Sequence, residues 1–215
     1  KMDPSLADRC AMGYKKILEL YPGQALARKS LGDLNFSKGK TKEAMSQYMA
    51  VLKLDPSESR EIEKKCREIL KTEPNMIEPC LVLAESFLVA GDNRKAITLA
   101  EELVQKDSGN FDGYRILAEA YTKIEILNRA KDALRSALKL RPFDEDLQDR
   151  YRQVSEKELD REISLIRSKI QQDPWRIGLN LDLARLLFKR GSLDPAARAL
   201  QNALKDTTRA VASHR

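Results

Sequence analysis

Apolar residues recur at helical spacing through the stretch from Phe111 to Pro142. Tyr114, Leu117, Ala118 and Tyr121 fall at steps of three, one and three, and Ala130, Leu134 and Ala137 follow at steps of four and three. At about 3.6 residues per turn each set lies on one face, so the stretch predicts two amphipathic helices. Pro142 closes the second, because it cannot continue a helix. The small side chains of Ala118, Ala130 and Ala137 let two backbones approach closely, with Leu117, Tyr121 and Leu134 filling the space around them.

The pattern recurs along the chain. Thirty-four residues before Pro142 stands Ser108, and 34 before that Pro74. Between them Cys80, Leu83, Ala84 and Phe87 repeat the first stripe and Ala96, Ala100 and Leu103 the second, with Gly91-Asp92-Asn93 as the turn. Pro22 and Pro56 enclose a looser copy with Leu31, Gly32, Ala44, Tyr48 and Val51; Arg28 and Asn35 interrupt its first stripe, which predicts a rotated or partly solvated helix. Ahead of it, Cys10, Tyr14 and Ile17 have the spacing of a second helix without its first, so the N-terminus reads as cut inside a repeat.

Two intervals depart from the period. Only 18 residues separate Pro56 from Pro74, and Ile62, Cys66 and Ile69 there again form a second-helix stripe without a first. Either a segment of about one helix and its turn is omitted near Ser57 to Arg60, which the size of the shortfall favours, or residues 57–74 form an irregular helix at a subdomain boundary. After Pro142, Leu147, Tyr151 and Val154 make one stripe and Leu159, Ile163, Ile166 and Ile170 another. Ser155 with Glu158 reads as a capping box opening a second helix, but no Gly or Pro separates the two stripes and one long helix is the alternative. Pro174 closes this interval. The last unit has Leu183, Ala184 and Leu187, a turn at Gly191, Asp194 as N-cap, Pro195 as first helical residue, then Ala196, Leu200 and Ala203. Thr207 to Arg215 lose the periodicity and read as a frayed tail.

A helix-turn-helix unit of 34 residues recurring in this way resembles the tetratricopeptide repeat (TPR) family. The resemblance implies an all-α fold, a right-handed superhelical solenoid of stacked antiparallel helix pairs. It covers most of residues 5–206 and gives a solenoid over 1–206, N-terminally truncated and irregular at 57–74, followed by a tail at 207–215.

Composition fits this reading: of 215 residues 42% are hydrophobic, 33% charged and 6% aromatic. The chain has no run of 18 apolar residues and its opening lacks the apolar core of a signal peptide. Lys1 ahead of Met2 suggests either an artificial leading residue or a fragment, which leaves room for a lost targeting or anchoring segment; the expected location is cytoplasmic, without membrane insertion. Cys10, Cys66 and Cys80 are odd in number, lack Cys-x-x-Cys spacing and fall on apolar helical positions, so they read as small core residues.

The inventory for catalysis is poor. His214 is the only histidine, and none of the nine glycines belongs to a phosphate-cradling loop, so neither an enzyme nor a cofactor or metal site is expected. A net charge of +6 with Lys38, Lys40 and Lys42 in one turn and Lys64, Lys65 and Arg67 on the irregular helix gives nucleic acid some support. Interleaved Glu and Asp, and aromatics committed to stripes, make it the weaker reading.

In TPR proteins the first helix of each pair lines a concave groove for a peptide or partner helix. Projection from the core stripes places Lys29 and Asp33, then Glu78, Leu81, Glu85 and Leu88, then Asp112, Arg115, Glu119 and Thr122, and finally Leu181, Arg185 and Phe188 on that side. The middle of this surface is acidic and partly apolar, and it suits a protein or peptide segment carrying Lys or Arg beside apolar anchors. The carboxylate-clamp pattern of chaperone-binding TPRs is not followed: Lys29 matches one basic position, but Asp33, Val82, Asp112 and Ile116 replace other donors. Two other readings stay open, a structural subunit of a motility, secretion or envelope assembly that makes contacts by its edges, and self-association through exposed terminal stripes.

Overall fold

The computed structural model describes the backbone of residues 4–173 and 178–213 and the side chains of residues 6–173 and 178–205. Within these, eleven α-helices follow one another: α1 (Pro4–Leu20), α2 (Ala25–Ser37), α3 (Thr41–Leu54), α4 (Ser59–Thr72), α5 (Ile77–Val89), α6 (Asn93–Lys106), α7 (Phe111–Lys123), α8 (Leu127–Leu140), α9 (Glu145–Gln172), α10 (Leu179–Lys189) and α11 (Leu193–Ser213). A 3-10 turn, Pro56–Glu58, leads into α4. The chain divides at Pro142 into two compact units, Lys1–Pro142 and Phe143–Arg215.

In the first unit the pairs α2/α3, α5/α6 and α7/α8 are antiparallel hairpins, and α7 also packs against α6. Each hairpin turns in the same way. The amide three residues past the first helix bonds back to a carbonyl of its last turn, Lys40 to Asn35 at 2.9 Å, Asp92 to Phe87 at 2.8 Å and Ile126 to Tyr121 at 3.0 Å. This closure needs a left-handed residue between, which is Gly39 or Gly91 in the first two hairpins and Glu125, at φ +61°, in the third. The predicted stripes form the core: Leu83, Ala84, Ala96, Ala100, Leu117, Ala118, Ala130, Leu134 and Ala137 are all buried. Gly32 marks the tightest approach of α2 to α3, since a Cβ there would lie 2.8 Å from Cε1 of Tyr48.

The interval 57–74 holds a helix without a hairpin partner. α4 turns Ile62, Cys66 and Ile69 inward, packs on α5, and reaches α2 and α3 through side chains. α5 therefore has α3, α4, α6 and α7 around it, and Val82 to Leu88 are all buried. A helix apolar on every side is what a sequence such as CLVLAESFLV builds.

The second unit contains α9 and the hairpin α10/α11. α9 is unbroken over 28 residues, so the capping box at Ser155 does not form; Ser155 Oγ is buried without a hydrogen-bond partner. With neither Gly nor Pro between the two stripes, nothing there interrupts the backbone ladder. Leu159 and Ile163 of α9 pack with Ala184, Leu187, Ala196 and Ala199. α11 starts at Leu193, which puts Asp194 inside the first turn rather than at the cap, and its backbone stays helical through residues 207–213. Loss of apolar periodicity removes packing from such a stretch and leaves helix propensity intact. Leu200, expected in the final stripe, is exposed, and Ala199 takes the inward position. Pro174 and His214 lie outside the described residues.

Candidate partner-binding face

Arg115 of α7 is the centre of the predicted surface. Its Nη2 sits 2.6 Å from Oε2 of Glu85 on α5; its Nε lies 3.5 Å from Oδ1 of Asp112 and its Nη1 3.8 Å from Oε2 of Glu119, on the turns before and after. Lys123 continues the line, 3.1 Å from Glu119 and 3.3 Å from the carbonyl of Leu88. Burial works against charge on the guanidinium, but the field of Glu85, then of Asp112 and Glu119, outweighs it and raises the Arg115 pKa, so the side chain stays charged. Spacings of three and four along α7 bring Asp112, Arg115 and Glu119 to one face. At the head of α5, Glu78 lies 3.0 Å from Lys42 of α3. Burial opposes its ionisation, yet a backbone hydrogen bond and Lys42 hold its carboxyl below the ordinary value.

The structure brings Glu85, Asp112, Arg115 and Glu119 together and separates two of the predicted contacts from any visitor. Leu88 is 1% exposed and belongs to the core, and Glu85 is 4% exposed beneath Arg115. The cause is α7: its Arg115 pairs with Glu85 and its Lys123 reaches the Leu88 carbonyl, so a groove projected from a regular repeat is already filled there. Leu81 stays half-buried and Asp112, with 51% of its side chain accessible, is the most open of the acidic residues. Sequence reasoning missed Lys42 and Lys123. The i, i+4 pair Glu119–Lys123 was visible in the sequence, whereas the Lys42–Glu78 contact depends on how α3 meets α5.

The first-repeat positions are occupied from within the chain. Lys29 Nζ lies 2.6 Å from Glu58 and 2.5 Å from Glu61. Asp33 accepts from Tyr48 Oη at 2.6 Å and pairs with Lys65, whose ammonium also stands over the Tyr48 ring. Lys29 is held above its usual pKa by these two carboxylates, and Glu61 below its own by Lys29 and Lys65. The basic run on α4 is thereby split: Lys65 turns inward, while Arg67, paired with Glu63 at 2.8 Å, is half exposed and stacks over Phe87. Lys38 pairs with Asp8. In the second unit Phe188 and Arg185 are exposed and Leu181 is partly so, with Arg185 3.6 Å from Asp182.

Burial raises Cys66 to about 12, a thiol packed 3.9 Å from the sulfur of Met45, and Cys80 is raised for the same reason. Among the described residues no group of three His, Cys, Asp or Glu gathers as a metal site, and no helix is long and apolar enough to cross a membrane.

Tetratricopeptide repeat models match residues 81–145 and 30–58. Human protein O-mannosyl-transferase TMTC1 is 29% identical over 131 residues, 61% of this chain and 13% of that protein's length. Among solved structures, MamA matches at TM-score 0.41 with 24% identity over 85% of this chain and 91% of that one. YrrB, described as a TPR protein with an unusual peptide-binding site, matches at 0.40 with 18% identity over 91% and 93%. TTC0263, a thermophilic TPR protein of Thermus thermophilus, matches at 0.38 with 20% identity over 85% and 91%.

Proposed function

Because this chain belongs to the tetratricopeptide repeat family, whose units mediate contacts with proteins and peptides, we propose that it is a non-enzymatic adaptor that holds a partner segment against α7 and the head of α5. The observation that carries this reading is the Arg115 cluster. Three carboxylates, Glu85, Asp112 and Glu119, face two cations, Arg115 and Lys123, and Asp112 is largely accessible. Glu85 anchors Arg115 and takes no direct part. Asp112 presents the one surplus negative charge, with Glu119 beside it tied to Lys123 and Glu78 on α5 tied to Lys42, and Leu81 offers an apolar contact. A complementary segment carries Lys or Arg next to an apolar side chain, with the charges steering approach and the apolar group supplying the burial.

Selection from a random peptide library on the immobilised chain tests the reading. Enriched peptides are expected to pair Lys or Arg with apolar residues, to bind more weakly as salt rises, and to lose binding to Asp112→Lys, a substitution at an accessible position. Enrichment of peptides without basic residues, or unchanged binding to Asp112→Lys, overturns it.

A further inference from the structure

α4 presents a ridge of cations on the side away from the core. Arg60, Lys64, Arg67 and Lys71 follow at steps of four, three and four, which at about 3.6 residues per turn puts them within an arc of about 60° and along about 16 Å of helix. Ile62, Cys66 and Ile69 lie on the opposite side and are buried. Glu63 borders the ridge on one side and Glu68 on the other, and all six residues line one open trough of about 410 Å³.

Elsewhere in the first unit Lys95, Lys123 and Arg135 each pair with a carboxylate one turn away, and on the ridge itself Arg67 pairs with Glu63. Arg60, Lys64 and Lys71 have no ion pair among the described residues, although Glu68 lies one turn from both lysines. All three are exposed. The neighbouring side of the helix is used within the chain: Glu61 and Lys65 are engaged by Lys29 and Asp33, and these contacts fix α4 against α2. The ridge is therefore carried on a helix already held in place, and its alignment does not have to be formed on binding.

We infer that this ridge docks an acidic helix of a partner protein, one whose Asp or Glu residues recur at steps of four, three and four with Lys or Arg on either side. The charge pattern argues for that occupant. A line of cations between two carboxylates is matched by a line of carboxylates between cations, so that Glu63 and Glu68 also meet opposite charge. Against uniform negative charge, such as a nucleic-acid backbone or an anionic membrane, the same two carboxylates repel. Bases find no stacking face here either: Phe87, 6% exposed, is covered by Arg67 and Lys95, whose charges stand 5.6 and 5.3 Å from its ring centre. One exposed ion pair contributes little, so recognition depends on several forming in register. This partner is opposite in charge to the one proposed for Asp112, and the two faces share no residue.

Fluorescence anisotropy on the 215-residue chain tests this with labelled alanine-based peptides of one composition. In the first, glutamates at steps of four, three and four are flanked by lysines; in the second the order is scrambled. The patterned peptide is expected to bind several-fold tighter than the scrambled one and to weaken as salt rises. Lys64→Glu with Lys71→Glu loses that binding with circular dichroism unchanged, and binds instead a peptide in which lysines and glutamates are exchanged. Asp112→Lys, which alters the proposed basic-peptide face, leaves it intact. No binding of the patterned peptide, equal binding of the scrambled one, undiminished binding to the double variant, loss of binding in Asp112→Lys, or tighter binding of single-stranded DNA or phosphatidylserine vesicles overturns the inference.

Discussion

α6 and α11 are the same helix in sequence pattern and opposite in fate. Both begin two residues after a left-handed glycine, Gly91 or Gly191, so positions 100 apart correspond; both bury an alanine, Ala96 and Ala196, and as a second strip Ile97, Ala100 and Val104 of α6 match Ala197, Leu200 and Leu204 of α11. In α6 the second strip faces α7 and has shrunk to Ala100 at the point of contact; in α11 the equivalent position is Leu200, half accessible. A buried seam between helices selects for small residues where backbones converge, and an exposed one does not. Side-chain size at the matched position follows the surroundings within each unit: Ala100 is fully buried and Leu200 is half accessible.

The largest expected effect comes from unfastening α7. Arg115→Met leaves Glu85 buried without its cation and should cost about 3 kcal/mol of unfolding free energy, because an uncompensated buried charge is expensive. Urea denaturation measures it, and Glu85→Leu added to Arg115→Met should recover most of the loss. If α7 is the cover of α6, the single variant also gains binding of a hydrophobic dye.

Exchanging the residues at the matched positions sharpens the contrast. Ala100→Leu overpacks the seam between α6 and α7 at a cost of about 1–3 kcal/mol, while Leu200→Ala at the same register should change unfolding of the dilute chain by less than about 0.5 kcal/mol. Equal effects would show that the two helices are covered alike.

A smaller effect separates the buried thiol of the first unit by pH. Folding raises Cys66 from 9.0 to about 12, so its contribution is complete below pH 9 and is lost as pH rises towards 12, where the unfolded thiol ionises and the folded one resists. Thermal melts should fall through that window, and Cys66→Ala should flatten part of the decline. At the acid end the sign reverses: Glu61 and Glu78 are lowered, so the stability they lend is present above their ordinary values and disappears as pH falls below about 4.

The repeat, its hairpins and nearly all stripe residues were legible in the sequence because helical periodicity and turn glycines are local signals. The binding face was less so. Projection from a regular repeat put Leu88 and Glu85 in a groove, but Arg115 and Lys123 of α7 close over them. A signal did exist: Val82, Leu83, Phe87, Leu88 and Val89 surround α5 with apolar groups, which suits a helix enclosed on all sides. The pairing of Lys29 with Glu58 and Glu61, and of Asp33 with Lys65, joins residues about 30 positions apart and had no local trace. At Ser155 the capping pattern stands beside one long helix as the alternative, and α9 takes the second course because nothing there interrupts its backbone.

The place of α4 between α3 and α5 also bears on how long a loop each contact must close. Most pairs, α2 with α3 and α4 with α5 included, join neighbours in the chain and need only short loops, whereas the contacts of α3 with α5 and of α5 with α7 each enclose a whole helix. α5 takes part in both of the longer closures, so amides of Val82 to Leu88 are expected to be the last to exchange with solvent.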